Sequence, residues 1–233
     1  IWMRLLKRVK GSVLWLLRSN TWAERNLHKE AEKRGIKRER LIFAEKMIPG
    51  DHLGRHRLAD LFLDTFNVNA HTTASDALWA GLPIVTKQGQ GFAARVAASL
   101  LTAIGLPELI TKTEEEYEAL IFDLATNDTQ LKVVKDKLTK NRHTYPLFNT
   151  ELFTRHLEDG YQQAYQLYFE AKRPQMIRVK EVALPHLIPP KNISLSSVVI
   201  STASAFKKGD IISGHDNLTE LLALLDSHAA QLS

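Results

Sequence analysis

The segment from 61 to 86 constrains the fold more than any other part of this sequence. An apolar run at 61–65 leads into a polar loop and then into a helix predicted over 71–80. Glycine and proline follow this helix closely, and a second apolar run comes directly after them, at 84–86. Since glycine and proline end helices, the order is strand, helix, strand. Two strands joined by a crossover helix pair in parallel, so the segment predicts a parallel sheet.

The same alternation extends from the first residues to about 111. Strands are predicted at 12–17, 40–43, 61–65, 83–86 and 109–111, and helices at 22–34, 51–58, 71–80 and 92–103. Strands that alternate with helices are typical of doubly wound sheets. We therefore predict an α/β fold, with a Rossmann-like parallel sheet that carries helices on both faces.

The character of the sequence changes after residue 112. Helices are predicted at 113–126, 128–141 and 150–172, followed by a proline-containing linker over 183–197 and an edge strand at 197–201. Asp216 or Asn217 would cap a final amphipathic helix. We predict one domain over 1–178 and a linker with a C-terminal appendage over 179–233.

The composition excludes several classes of protein. No apolar run approaches the ~20 residues that a membrane-spanning helix needs, and the absence of cysteine excludes disulfides and thiolate metal sites. A cysteine-free chain suits a reducing compartment, so we expect a cytoplasmic location. Lysine and arginine are concentrated in residues 1–60, but no usual nucleic-acid-binding motif accompanies them. We expect a solvated basic surface and no nucleic-acid partner.

The start of the 71–80 helix is the first candidate site. His71, Thr72 and Thr73 occupy its first turn, and Asp76 follows about one turn later. Free backbone N–H groups at a helix start attract phosphate, and a carboxylate nearby suits the diol of a ribose. Such a site would lie at the carboxyl end of a strand, where α/β sheets bind ligands. Simple helix capping explains the same residues about equally well.

A second candidate is the loop and short helix over 45–55. The loop is positioned to hold a nucleotide base with its backbone, and His52 and Arg55 could reach a phosphate. Taken alone, the residues slightly favour the simpler interpretation that both side chains are surface charges on a helix.

Other recognisable sites are missing from the sequence. The glycine-rich dinucleotide fingerprint, the phosphate-binding P-loop and the serine nucleophile elbow are absent, and no histidine pair has zinc-site spacing. Asp64 ends a predicted strand and could be catalytic, but capping of the following turn is the favoured interpretation.

Several stretches together resemble the O-linked N-acetylglucosamine transferase family. They are 58–65, His71-Thr-Thr73 with Asp76, 78–86, 95–99, 12–18 and 146–150. The resemblance covers roughly 1–178 and leaves the tail outside.

This resemblance implies a particular enzyme. Members of the family are GT-B glycosyltransferases that use UDP-N-acetylglucosamine, need no bound metal or other cofactor, and usually carry tetratricopeptide repeats upstream. The chain would be the C-terminal, nucleotide-binding half of the GT-B fold. The full protein would transfer N-acetylglucosamine to Ser or Thr of a protein acceptor held by the repeats. The lysine that stabilises the UDP leaving group would lie upstream, so we expect this fragment alone to be inactive.

The resemblance also implies residue roles. His71, Thr72 and Thr73 would contact the diphosphate, and Asp76 would hold the ribose hydroxyls.

The loop before them would hold the other parts of the nucleotide. His52 and Arg55 match uridine- and phosphate-side positions, and Met47 to Pro49 match the segment that binds uracil. The sequence departs from the family at Pro49, where a lysine is usual. This departure keeps open a GT-B enzyme with another UDP-sugar or an asparagine acceptor. A UDP-binding module without catalysis is a second alternative, which would follow if the upstream lysine were also missing.

Overall fold

The computed structural model describes residues 1–180 and the backbone of Val199–Ile200. The described residues fall into two compact units, one of Ile1–Phe153 and one that begins at Thr154. The division predicted at 178 stays a prediction. The linker predicted over 183–197 and the helix predicted from Asp216 or Asn217 lie outside the described residues.

The first unit is built on parallel strands. These are β1 (Leu14–Leu17), β2 (Leu41–Ala44), β3 (Phe62–Leu63), β4 (Ile84–Lys87) and β5 (Ile110–Thr111). Strand β1 pairs with β2, and β4 lies between β3 and β5, all in parallel. The predicted parallel α/β fold is confirmed. Strand β3 is shorter than predicted because the chain turns at Asp64.

Seven of the described helices precede, connect or follow these strands. They are α1 (Trp2–Arg8), α2 (Thr21–Lys33), α3 (Pro49–Arg55), α4 (Thr72–Ala80), α5 (Val96–Ala103), α6 (Glu114–Thr126) and α7 (Asp128–Asn141). The helix predicted at 51–58 begins earlier, at Pro49, because proline has no N–H to satisfy and its φ suits a first helical residue. The helix predicted at 92–103 opens instead with a separate 3₁₀ turn, Phe92–Ala94.

The ends of these helices follow from their sequence. Gly81 ends α4 in the left-handed conformation, with φ of 89°, which glycine adopts without a Cβ clash. Thr113 and Glu116 form a reciprocal capping box at the start of α6. Helix α4 therefore ends, and α6 begins, close to the residues predicted from the sequence.

The main core surrounds β4. Its fully buried members come from α4, β4, α5, α6 and α7 and include Leu78, Ile84, Val85, Leu101, Tyr117, Leu124 and Leu138. A smaller cluster packs α1 and α2 against β2 and contains Leu6, Ala31, Ile36 and Leu41. Burying a side chain of this size stabilises the folded state by about 1.5–3 kcal/mol. The core therefore holds α4 firmly against the sheet.

The second unit contains most of α8 (Thr150–Phe169) and a short antiparallel pair. Strand β6 (Ile177–Arg178) pairs with β7 (Val199–Ile200), and Ile177 lies opposite Ile200. The edge strand predicted at 197–201 is confirmed in this shorter form. Within residues 1–180, no helix is long and apolar enough to cross a membrane.

Candidate functional site

The start of α4 carries the first group of predicted residues. His71 is the N-cap residue, but its side chain makes no capping hydrogen bond. Thr72 and Thr73 follow it and are exposed. The N–H groups of a first helical turn have no acceptor within their own helix. The His71 side chain therefore does not cap this helix start, and the two exposed threonines lie at its positive end.

The loop between β3 and α4 is held by Asp64. Its Oδ1 accepts hydrogen bonds from the backbone N–H groups of Thr65 at 2.9 Å and Ala70 at 2.7 Å. Its Oδ2 accepts from the Thr86 hydroxyl on β4 at 2.6 Å. Asp64 is 2% exposed. The carboxylate therefore fixes the turn, as the favoured interpretation predicted, and is too deeply buried to meet a substrate.

A second contact ties the same turn to α6. The Tyr117 hydroxyl donates to the backbone carbonyl of Asp64 at 2.8 Å. Burial raises the pKa of the Asp64 carboxyl, and the hydrogen bonds from Thr86, Ala70 and Thr65 oppose that rise. The loop that presents α4 is thus anchored on both a strand and a helix.

His71 has an unusual environment for a polar side chain. Its Nε2 atom is buried and has no hydrogen-bond partner. The Phe92 ring lies edge-on to it, with centroids 6.1 Å apart, and Phe92 is itself 75% exposed. Sequence reasoning missed Phe92. The contact arises because Asn69 donates through its backbone N–H to the Ala93 carbonyl, which brings the two loops together.

Helix α3 brings the second group of predicted residues to α4. The Nε2 atom of His52 lies 3.8 Å from Oδ2 of Asp76. On the other side of the ring, His52 Nδ1 lies 2.8 Å from Nη2 of Arg55. Arg55 also donates through Nη1 to the Glu45 carbonyl at 2.6 Å. The structure therefore brings His52, Arg55 and Asp76 together, although they come from two helices.

His52 is biased toward its neutral form. Burial is the largest cause that lowers its pKa, followed by the charges of His56 and Arg55, while Asp76 acts in the opposite direction. The His56 ring also packs edge-on against His52, at 4.6 Å between centroids. At neutral pH, His52 is available as a hydrogen-bonding group rather than as a cation.

Met47 and Pro49 lie in the loop that leads into α3, and both are exposed. Pro49 is the first residue of that helix. The ring centroid of Trp15, on β1, lies 5.9 Å from the guanidinium carbon of Arg55. Trp15 was not identified from the sequence, because the contact joins residues far apart in the chain.

Two other features lie outside this group. A groove of about 410 Å³ is lined by Gly50, Leu53, Gly54, Arg57, Trp79, Ala80, Arg142 and His143, and it contains none of the predicted residues. In the described part of the chain, no cluster of three or more histidine or carboxylate side chains could hold a metal ion.

Comparison with known proteins agrees with the resemblance found in the sequence. Residues 1–157 match the model of glycosyl transferase family 41. A probable UDP-N-acetylglucosamine–peptide N-acetylglucosaminyltransferase, SEC, from Arabidopsis thaliana is 37% identical over 188 residues, which is 79% of this chain and 19% of that protein. The corresponding Caenorhabditis elegans transferase is 36% identical over 168 residues, which is 72% of this chain and 15% of that protein.

A solved structure shows the same fold. A mutant O-GlcNAc transferase from Thermobaculum terrenum superimposes with a TM-score of 0.69 at 29% identity, and the match covers 73% of this chain and 33% of that one. The chain thus spans about a fifth or less of the length of the Arabidopsis and Caenorhabditis relatives. With two thirds of its residues matched by the family model, the chain belongs to glycosyl transferase family 41.

Proposed function

We propose that this chain is the UDP-binding part of an enzyme that transfers N-acetylglucosamine from UDP to Ser or Thr hydroxyls of a protein acceptor. Membership of glycosyl transferase family 41 supports the transferase class. The names of the Arabidopsis and Caenorhabditis relatives support the donor sugar and the peptide acceptor. Upstream repeats would bind the acceptor, and the enzyme would work in the cytoplasm.

One observation carries the proposal: the uncapped start of α4 lies beside the His52–Asp76 pair. The diphosphate would accept hydrogen bonds from the N–H groups and hydroxyls of Thr72 and Thr73, and from His71. His71 is included because it is the N-cap residue of this helix start and its Nε2 has no partner within the protein. Since Nε2 is buried, its ring would have to turn toward the ligand to reach a phosphate oxygen.

The ribose and base would continue from α4 toward α3. Asp76 would accept hydrogen bonds from the ribose hydroxyls, and the loop from Met47 to Pro49 would hold uracil through its backbone. No metal is needed in this scheme, because N–H donors and the helix dipole stabilise the charge that develops on departing UDP. The chemical step itself would depend on residues upstream of this chain.

Calorimetric titration of the chain with UDP and with uridine tests the proposal. Charge-assisted hydrogen bonds contribute about 1.5–3 kcal/mol each, so UDP should bind at least about tenfold more tightly than uridine. His71→Ala and Asp76→Ala should each weaken UDP binding. Equal affinities for UDP and uridine in the folded chain would contradict the diphosphate site.

Matched substitutions away from the site provide the control. His143→Ala and Asp136→Ala change the same residue types on or just after α7, and both positions are exposed. They should leave UDP affinity unchanged. If they weaken it as much as the site variants do, the residue assignments are wrong.

A further inference from the structure

The groove of about 410 Å³ between α3, α4 and the end of α7, called the α3–α4 groove below, is separate from the proposed UDP site. Its lining from α3 and the 3₁₀ turn that follows is Gly50, Leu53, Gly54 and Arg57. Residues three and four positions apart share one side of a helix. His52 and Arg55 therefore lie on the other side of α3.

The groove also meets α4 at the end opposite to the diphosphate site. Trp79 and Ala80 line it and are the last two residues of α4, whereas Thr72 and Thr73 begin that helix. At 1.5 Å per residue, Trp79 lies about 9 Å along the helix from Thr73. A ligand in the groove would therefore bind independently of UDP.

Two glycines keep the α3 wall of the groove free of side chains. A Cβ added at Gly50 or at Gly54 would meet nothing within 4 Å, and neither residue has a positive φ. Glycine in a helix is destabilising relative to alanine. Neither close packing nor backbone conformation explains the two glycines, and their effect is to leave the helix backbone open to a ligand.

The groove carries positive charge and no carboxylate. Arg57, Arg142 and His143 line it, and none of its lining residues is Asp or Glu. Arg142 Nη1 donates to the Trp79 carbonyl at 2.6 Å, which holds its guanidinium at the end of α4. Within the described residues, neither Arg57 nor Arg142 forms an ion pair. Both charges are therefore available to an anionic group.

Trp79 gives the groove an apolar component. Its ring packs edge-on against Phe148, at 5.1 Å between centroids, and the His143 ring lies at 6.3 Å. The guanidinium carbon of Arg142 lies 6.0 Å from the same ring. Trp79 nevertheless stays 46% exposed. A fixed but exposed indole beside arginine is typical of surfaces that bind other proteins.

We propose that the α3–α4 groove is a docking site for an acidic peptide segment of another protein. An apolar side chain of that segment lies against Trp79 and Leu53, and its carboxylates accept hydrogen bonds from Arg57 and Arg142. The positive charge of the groove selects an acidic segment over a basic one.

Fluorescence anisotropy with a labelled synthetic peptide tests the charge requirement. The probe alternates aspartate or glutamate with leucine, and its control has asparagine and glutamine in place of the carboxylates. Since charge-assisted hydrogen bonds are about twice as strong as neutral ones, the acidic peptide should bind the full 233-residue chain at least about tenfold more tightly. Absence of binding, or equal affinity for the two peptides, would overturn the proposal.

Substitutions in the groove test the location. Gly54→Glu fills the open face of α3 and sets a carboxylate against those of the peptide, so the acidic peptide should bind at least about tenfold more weakly. Arg57→Met should weaken binding about two- to fivefold, as expected for an exposed charge. Urea denaturation checks that both variants remain folded.

Matched substitutions elsewhere control for general charge effects. Gly91→Glu adds the same charge at a glycine whose Cβ would also meet nothing within 4 Å. Arg38→Met removes an exposed arginine from the strongly basic first part of the chain. Neither should change the affinity for the acidic peptide. If either weakens binding as much as the corresponding groove variant, the peptide binds through overall charge and the proposal is wrong.

Amide and indole NMR then maps the bound peptide. The acidic peptide should shift the amide resonances of Gly50 and Gly54 and the indole N–H of Trp79, which is identified by its loss in Trp79→Phe. The amides of Thr72 and Thr73 should not respond. Shifts at those two threonines without shifts at the glycines would place the peptide in the diphosphate site and overturn the proposal. None of these results depends on whether UDP binds.

Discussion

Replacing Asp64 by alanine should loosen the turn that presents α4. The substitution removes the acceptor of three hydrogen bonds, two of which come from the Ala70 N–H and the fully buried Thr86 hydroxyl. A buried donor left without a partner costs about 1–3 kcal/mol. The free energy of unfolding should therefore fall by about 2–5 kcal/mol, a large part of the 5–15 kcal/mol that typically stabilises a domain.

Asparagine at the same position is the matched control. Its side-chain oxygen can keep both backbone hydrogen bonds of the Asp64 turn, and its amide can donate to the Thr86 hydroxyl. Asp64→Asn should therefore cost only about 1 kcal/mol. Urea denaturation followed by circular dichroism measures the free energy of unfolding of both variants. Titration with UDP measures whether each variant still binds the nucleotide. If Asp64→Asn keeps full stability but loses UDP binding, the charge of Asp64 acts on the ligand and the structural assignment is refuted.

The pH dependence of stability, compared between the unaltered chain and Asp64→Asn, gives an independent check. Burial raises the pKa of Asp64 in the folded chain above its ordinary value, so folding favours the protonated form. The contribution of Asp64 to stability is then fully present below about pH 4, the ordinary range of an aspartate, and declines as pH rises through the raised pKa. The stability difference between the unaltered chain and Asp64→Asn should shrink as pH rises. A difference that grows with pH would contradict the raised pKa.

Two further substitutions test how the fold is held. Gly105→Ala should destabilise the chain by more than about 2 kcal/mol in urea denaturation, because φ is 73° and a Cβ would lie 2.1 Å from a Tyr145 ring carbon; Gly50→Ala, where a Cβ meets nothing within 4 Å, should not. Thr113→Ala should cost about 1 kcal/mol in thermal unfolding by breaking the capping box of α6, and an unchanged melting temperature would contradict that role.

The order of strands and helices could be predicted because its signals are local. Apolar runs define the strands, and Gly81 with the proline that follows marks the end of α4 within a few residues. The parallel pairing then follows from the connections alone. The start of α3 at Pro49 was not predicted, because proline is as common in turns as at the first position of a helix.

The contacts across the site could not be predicted in this way. Trp15 approaches Arg55 from another strand, and Phe92 approaches His71 from another loop. The Tyr117 hydroxyl reaches the turn at Asp64 from 53 residues away. Such contacts depend on packing, and no spacing rule in the sequence encodes them.

Arg55 shows the same limit within one helix. Residue type and spacing correctly place its charge near His52. Only the structure shows that Arg55 donates to His52 and to the Glu45 carbonyl. Sequence reasoning could therefore identify the members of the candidate site but not the direction of each hydrogen bond.

Amide NMR of the labelled chain, titrated with UDP and separately with uridine, tests the central claim most directly. The claim is that the start of α4 binds the diphosphate. UDP should shift the amide resonances of Thr72 and Thr73 strongly, and uridine should leave them nearly unchanged while both ligands shift residues near Met47. If UDP binds and the amides of Thr72 and Thr73 do not respond, the diphosphate lies elsewhere and the account of this site is wrong.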